Sequence, residues 1–149
     1  MKIVVQRVES ASVSVGKELI GSIKHGLLLL IGISQEDNQE DIDWLSNKII
    51  NMRIFNDDQD KMNLSLLDVN GSILNISQFT LHASTKKGTR PSFVKAATPE
   101  FAQKIYEQWC DKLESLNIPS QRGVFGEHMK VKLLNDGPVT IILDSKIRT

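Results

Sequence analysis

The segment Ser77-Gln78-Phe79-Thr80-Leu81 closes an apolar run and places polar side chains where a buried strand normally carries aliphatic ones. Buried amide and hydroxyl groups need hydrogen-bond partners. A second unusual segment, Asn135-Asp136-Gly137-Pro138-Val139-Thr140, puts Gly-Pro between two predicted strands. Pro cannot donate to a sheet ladder, and X-Pro is the bond that most readily becomes cis. Both segments therefore indicate a functional site.

Outward from these segments, apolar periodicity predicts a chain rich in strands. Alternating or continuous apolar residues predict strands at 3–9, 11–15, 18–23, 26–33, 129–134 and 139–143. Asn70-Gly71 is a strong hairpin signal between residues 64–68 and 72–81, which would leave the first segment at the far end of a hairpin strand. Gln78 and Thr80 would then share one face of that strand.

Two segments have helical spacing. Residues 38–53 carry apolar side chains three and four apart after Asn38, a plausible N-cap, and Thr98-Pro99-Glu100 begins a second helix with an apolar stripe. At 149 residues the chain fits one domain, spanning 1–149. We therefore expect an α+β fold, with a largely antiparallel, barrel-like sheet covered by two main helices.

Charge is balanced overall but uneven along the chain. Lys and Arg total 18, as do Asp and Glu, so net charge does not indicate a nucleic-acid binder. Residues 69–99 contain no acidic side chain, however, and carry Lys86, Lys87, Arg90 and Lys95. Such a window is often only a solvated loop; the alternative is a contact with phosphates.

The single cysteine and the short apolar runs suggest a location. Cys110 cannot form an intramolecular disulfide and lies at helical spacing among apolar residues, as a buried packing thiol would. The longest apolar run, 27–31, is too short to span a bilayer, and the amino-terminal run is too short for a signal peptide. These features predict a cytoplasmic protein with no membrane partner.

Common catalytic motifs are absent. Without HExxH, CxxC or a His and Asp cluster at metal spacing, we expect no metal and no cofactor. His25, His82 and His128 are isolated, so each is expected to be a surface or satisfied histidine. Two mechanisms remain open near residue 80. Thr80 is a conceivable nucleophile, but no neighbouring base in the sequence activates it; alternatively, backbone N–H groups near Phe79 stabilise an ester oxyanion.

Both segments resemble the D-aminoacyl-tRNA deacylases, whose pattern contains an SQFTL strand and a late NDGPVT loop. The likeness continues in order through most of the chain, at Gln6-Arg7-Val8, Ala11-Ser12-Val13, Arg53-Ile54-Phe55, Lys61-Met62-Asn63-Leu64 and Arg90-Pro91-Ser92-Phe93. The resemblance implies metal-independent hydrolysis of D-aminoacyl-tRNA, and of glycyl-tRNA by inference, in translation quality control.

The resemblance also implies roles for particular residues. The catalytic set would be Ser77, Gln78, Phe79 and Thr80, and the substrate-binding set Gly137, Pro138, Arg7 and Met129. In a homodimer, a cis Gly137-Pro138 bond would enter the partner's site and exclude L side chains, with Arg7 orienting the loop. Lys86, Lys87 and Arg90 would contact the tRNA.

Two other interpretations compete with this one. A paralogous deacylase type has a trans Gly-Pro bond and accepts small L-amino acids, but Arg7 and an unmodified SQFTL favour the D-specific type. The other rival is a non-catalytic RNA-binding module. Such a module would show exposed stacking aromatics, whereas aromatic residues make up only 5% of this chain.

Overall fold

The computed structural model describes residues 1–149 and is organised around one long strand, β1 (Lys2–Val15). The remaining strands are β2 (Glu18–Ile23), β3 (Gly26–Gly32), β4 (Phe55–Asn56), β5 (Met62–Leu64), β6 (Ser72–Ser77), β7 (Ser120–Arg122) and β8 (Lys130–Asp144). The helices are α1 (Gln39–Asn51) and α2 (Pro99–Ser115), and a short 3₁₀ turn covers Phe79–His82. Neither α-helix has the length and apolar character needed to cross a membrane.

Strand β1 pairs antiparallel with three neighbours. Its first half pairs with β3, from Lys2 opposite Gly32 to Val8 opposite Gly26, and its second half pairs with β2. Strand β8 follows the other edge of β1 along most of its length. Because one strand joins both halves, the sheet curls into a nearly closed barrel, and the predicted barrel-like α+β fold is confirmed.

The sheet is mixed, because β6 lies parallel to both β3 and β7. The hairpin predicted at Asn70-Gly71 is therefore wrong: β5 pairs with β4 in a separate two-stranded sheet. The chain instead turns, buries Leu66, and places β6 beside β3. Parallel strands need a crossover, and α1 and α2 lie in the two crossovers on either side of β6.

Both predicted helices are confirmed. The Asn38 side chain accepts from the Glu40 N–H, and Asp41 accepts from the Asn38 N–H, so α1 begins with a capping box. Helix α2 begins at Pro99 as expected, although the Thr98 side chain makes no capping hydrogen bond.

The core lies on both faces of β3, which explains its continuous aliphatic run. Leu27, Leu29 and Ile31 belong to the cluster under the two helices, whereas Leu28 belongs to a smaller cluster with Val8 inside the barrel. Cys110 lies in the helix cluster, where burial raises the pKa of its thiol to about 11. It is therefore the packing thiol that the sequence predicted.

Candidate active site

The segment that begins the site leaves the sheet at Ser77. The ladder between β3 and β6 ends with Ile31 opposite Ser77, and the Gln78 N–H donates to the Ile31 carbonyl at 2.7 Å. Beyond that point no strand is alongside, so the chain tightens into the 3₁₀ turn Phe79–His82. The prediction that the strand continues through residue 81 is wrong.

Gln78 and Thr80 do not share a strand face, yet they meet. The Gln78 Nε2 donates to the Thr80 Oγ1 at 2.6 Å across the start of the turn. The sequence correctly predicted that Gln78 and Thr80 lie close together, but the turn brings them together and strand periodicity does not. Thr80 is exposed, and no histidine or carboxylate hydrogen-bonds to its hydroxyl.

The first N–H groups of the turn have no protein acceptor. The Leu81 N–H donates to the Gln78 carbonyl and the Ala83 N–H to the Thr80 carbonyl, but the N–H groups of Phe79 and Thr80 donate to no protein atom. This is the usual consequence of starting a helical turn, whose leading N–H groups lie outside the ladder. The turn therefore presents two adjacent donors.

A cavity of about 560 Å³ lies beside the turn. One wall is the end of β6 and the turn, a second is the segment that leads into β8, and a third is formed by residues 93–102 around the start of α2. Its lining is mostly apolar and comprises Ile33, Ile76, Ser77, Gln78, Phe79, Phe93, Ala96, Ala97, Pro99, Ala102, Phe125, Gly126, Glu127, His128, Met129 and Val131. The structure thus brings Ser77, Gln78, Phe79 and Met129 together.

The β6 wall is anchored from below by Asn75, which sequence reasoning missed. Its side-chain oxygen accepts from Trp109 Nε1 at 2.8 Å, and its carbonyl accepts from the Tyr106 hydroxyl at 3.0 Å. An asparagine inside an aliphatic strand is the signal that could have identified it. These bonds fix α2 against β6 two residues before Ser77.

Two exposed aromatic rings stand at the cavity. Phe79 and Phe93 pack edge to face with ring centroids 5.1 Å apart, and 54% and 37% of their surfaces are exposed. Phe93 belongs to the Arg90-Pro91-Ser92-Phe93 motif, but the sequence predicted neither Phe93 nor Phe125 as a site residue. Although the chain contains few aromatic residues, this site therefore has exposed rings on which a base could stack.

A basic loop connects the 3₁₀ turn to Phe93. It is closed by two backbone hydrogen bonds between Ser84 and Ser92, of 2.8 and 2.9 Å, and it carries exposed Lys86, Lys87 and Arg90. These cations do not line the cavity. They lie on a closed loop that starts and ends next to it.

The segment around Gly137-Pro138 interrupts the pairing of β8 with β1. Its Gly-Pro peptide bond is cis, and both residues are exposed. The Asn135 side chain donates to the carbonyls of Arg7 and Val139, at 2.9 and 3.0 Å. Neither Gly137 nor Pro138 lines the cavity of its own chain.

Arg7 ties this segment to the body of the protein. Only 5% of its surface is exposed. Its Nε donates to the Asp136 carbonyl at 3.1 Å, and its Nη1 donates to the Ile54 carbonyl at 2.7 Å and to Asn56 at 3.1 Å. A Cβ built on Gly137 would lie 2.9 Å from Arg7 Nη2, so the guanidinium packs directly against that glycine.

The three histidines differ in burial and in their position relative to the cavity. His25 and His128 are exposed, and His128 lines the cavity. His82 is buried, and its Nε2 has no hydrogen-bond partner, so the expectation of a surface or satisfied histidine is wrong there. No group of three His, Cys, Asp or Glu side chains is placed to hold a metal ion.

The sequence and the fold are similar to those of known proteins. Residues 4–144 match the family model described as D-Tyr-tRNA(Tyr) deacylase. Proteins called D-aminoacyl-tRNA deacylase in Flavobacterium psychrophilum and Bacillus licheniformis are 56% and 55% identical to this chain, over 98% of it and 98% and 99% of their own lengths.

Two solved structures share the architecture. One, called c-Myc DNA Unwinding Element Binding Protein, superposes with a TM-score of 0.91 at 42% identity, covering 97% of this chain and 98% of that one. A probable eukaryotic D-amino acid tRNA deacylase superposes with a TM-score of 0.77 at 15% identity, covering 95% and 97%, and so supports the fold alone. The protein therefore has the sequence and the barrel-like fold of a deacylase. It belongs to the D-Tyr-tRNA(Tyr) deacylase family.

Proposed function

We propose that this protein hydrolyses the ester that joins a D-amino acid, or glycine, to the 3′ end of tRNA, and that it rejects L-aminoacyl-tRNA. Membership of the family supports the activity. The observation that carries the mechanism is the pair of unpartnered N–H groups of Phe79, which lines the apolar cavity, and of Thr80, which follows it in the turn. The products of the reaction are the free amino acid and reusable tRNA. The protein would therefore act alongside translation in the cytoplasm.

The two N–H groups act on the ester carbonyl. When water adds to the carbonyl carbon, negative charge develops on the carbonyl oxygen, and fixed donors stabilise that charge. The ester C–O bond then breaks and the ribose oxygen takes a proton. No protein base contacts the Thr80 hydroxyl, so the neighbouring ribose hydroxyl of the substrate assists the water.

A second copy of the chain completes the pocket. Gly137 and Pro138 are exposed, are fixed through Asn135 and Arg7, and do not line the cavity of their own chain, which suits a wall supplied to a partner. Strand β8 pairs with β1 alone and exposes Leu134 and Ile142, at 54% and 68%. A two-fold dimer through this face would contain two equivalent sites.

The Gly137-Pro138 wall selects by exclusion. Its carbonyl oxygens would face the α-carbon of the substrate, so that a D side chain points away while an L side chain meets rigid backbone. Glycine has no side chain to exclude, which is why glycyl-tRNA is expected to be cleaved. Arg7 contributes by holding Asp136 and packing against Gly137.

The basic loop contacts the acceptor end of the tRNA. Lys86, Lys87 and Arg90 are exposed on a loop that joins the catalytic turn to Phe93, within a sequence window, 69–99, that contains no acidic residue. Phosphate contacts from such cations would position the 3′ end without reading its sequence. Specificity for the amino acid would then reside in the cavity.

The proposal is tested by incubating the protein with matched D-aminoacyl-, L-aminoacyl- and glycyl-tRNA, with and without a chelator. We expect release of the D-amino acid and of glycine only, unchanged by the chelator. Hydrolysis of L-aminoacyl-tRNA that carries a small amino acid would support the paralogous deacylase type with a trans Gly-Pro bond. Binding of all three substrates without cleavage would support the RNA-binding module.

A further inference from the structure

His82 ends the 3₁₀ turn that carries the two donor N–H groups. Only 8% of its surface is exposed, and its Nε2 is the one buried side-chain nitrogen or oxygen in the protein without a hydrogen-bond partner. Buried polar atoms are normally paired, and an unpaired one costs free energy. Its position behind the turn, outside the cavity lining, therefore requires an explanation.

The ring packs where the turn meets the end of β3. A Cβ built on Gly32 would lie 3.3 Å from His82 Cδ2 and 3.2 Å from the Gln78 carbonyl oxygen. The turn therefore sits directly on a glycine, with the imidazole as one of its contact surfaces. Movement of the ring would move the turn that holds Phe79 and Thr80.

The surroundings oppose a charged ring. The ionisable groups facing it are the amino-terminal ammonium of Met1 and Lys2, which disfavour a second positive charge, and Asp37, which favours it. Asp37 already pairs with the Met1 ammonium and lies 3.4 Å from Lys146 Nζ. Burial lowers the pKa of His82 most, and the hydrogen bond with the Gly32 backbone opposes this only in part.

We propose that His82 is a positioning residue whose neutral ring holds the turn against β3, and that its protonation releases the turn and stops deacylation. The proposal rests on the proposed role of the Phe79 and Thr80 N–H groups. Because those donors act on the transition state, release would lower kcat and leave KM for tRNA unchanged. The loss would occur below pH 6.5, the ordinary histidine value, since the folded protein resists protonation there.

The test compares single-turnover deacylation from pH 5 to 7.5 in the wild type, in His82→Phe and in an exposed control, His25→Phe. Titration of the substrate's own amino group affects all three proteins equally. The ratio of the wild-type rate to the His82→Phe rate therefore reports the effect of His82 alone. We expect the wild type and the control to lose about tenfold per pH unit below the His82 pKa relative to His82→Phe. A ratio that is constant with pH would overturn the proposal.

A second measurement avoids reliance on a variant that fails to fold. In the wild type, the NMR amide signals of Phe79 and Thr80 should shift with the same midpoint as the His82 ring, and independent midpoints would contradict the coupling. His82→Gln, neutral throughout, is the alternative to His82→Phe. If the protein cleaves no D-aminoacyl-tRNA, the proposed function fails. If removing the Phe79 N–H leaves kcat unchanged, the oxyanion role of the turn fails, and the role of His82 fails with it. If removing that N–H lowers kcat but the pH ratio is constant, only the role of His82 fails.

Discussion

The side-chain nitrogen of Gln78 lies 2.6 Å from the hydroxyl oxygen of Thr80 and donates to it. The hydroxyl is therefore an acceptor in a local contact, with no histidine or carboxylate to take its proton. A serine or threonine nucleophile needs such a base. The contact instead fits a side chain that stiffens the start of the turn.

Thr80→Ala should therefore keep substantial deacylase activity. Removing the hydroxyl leaves both backbone donors in place, and rapid quenching should trap no acyl-enzyme. Single-turnover rates and mass spectrometry of the quenched protein measure both points. Complete loss of activity, with normal folding and tRNA binding, would restore Thr80 as the nucleophile.

Phe79→Pro should abolish most activity by deleting one donor. Phe79 is the first residue of the 3₁₀ turn, a position that favours proline, and Gln78 before it is non-helical, at φ −143° and ψ 82°. Loss of one oxyanion donor lowers kcat by about 10²–10³ in comparable sites. Phe79→Leu, which keeps the N–H, is the matched control. Equal rates for the two variants would argue against a backbone oxyanion site.

Replacing Lys86, Lys87 and Arg90 by alanine should weaken tRNA binding and flatten its salt dependence. Each lost phosphate contact removes counterion release, so the slope of log K against log salt should fall by roughly 0.7–0.9 per contact. Filter binding at several salt concentrations gives the slope. Lys17 and Lys24, which are exposed just before and just after β2, provide a control pair. An unchanged slope would remove this loop from the tRNA interface.

Arg7→Met should destabilise the protein and loosen selection against L substrates. The change leaves the Ile54 carbonyl and Asp136 without their buried partner, at a cost of about 2–4 kcal/mol. Urea denaturation measures the free energy of unfolding, and paired D- and L-aminoacyl-tRNA assays measure selectivity. Arg53→Met is the control, because Arg53 is exposed nearby. Destabilisation without any change in selectivity would limit Arg7 to a structural role.

The elements that the sequence predicted well are those whose signal is local. The helix from Asn38 and the aliphatic strand at 26–33 follow from capping and from burial on both faces. The hairpin predicted at Asn70-Gly71 was wrong because a turn dipeptide carries no information about another strand, distant in sequence, that competes for pairing. Pairing with β3 buries β6 on both sides, and this outweighed the local hairpin.

The site was predictable only in part for a similar reason. The resemblance identified Met129 and the cavity wall formed by the end of β6 and the turn. It gave no reason to choose Phe93 or Phe125, which line the cavity from segments outside the strands and helices. The end of the strand at Ser77 depends on where its ladder with β3 ends, at Ile31, which lies 46 residues earlier in the chain. His82 has no motif, and only burial distinguishes it from the other two histidines.

The most direct test of the shared site mixes two inactive variants, Phe79→Pro and Gly137→Ala. Gly137 has φ +123°, and an added Cβ would lie 2.9 Å from both Arg7 Nη2 and Val139 Cγ2, so the substitution disturbs the wall. In random mixing, half of the dimers are heterodimers and one of their two sites is intact, so D-aminoacyl-tRNA hydrolysis should return to about a quarter of wild type. No recovered activity, with heterodimers shown to form, would mean that each pocket is built within a single chain.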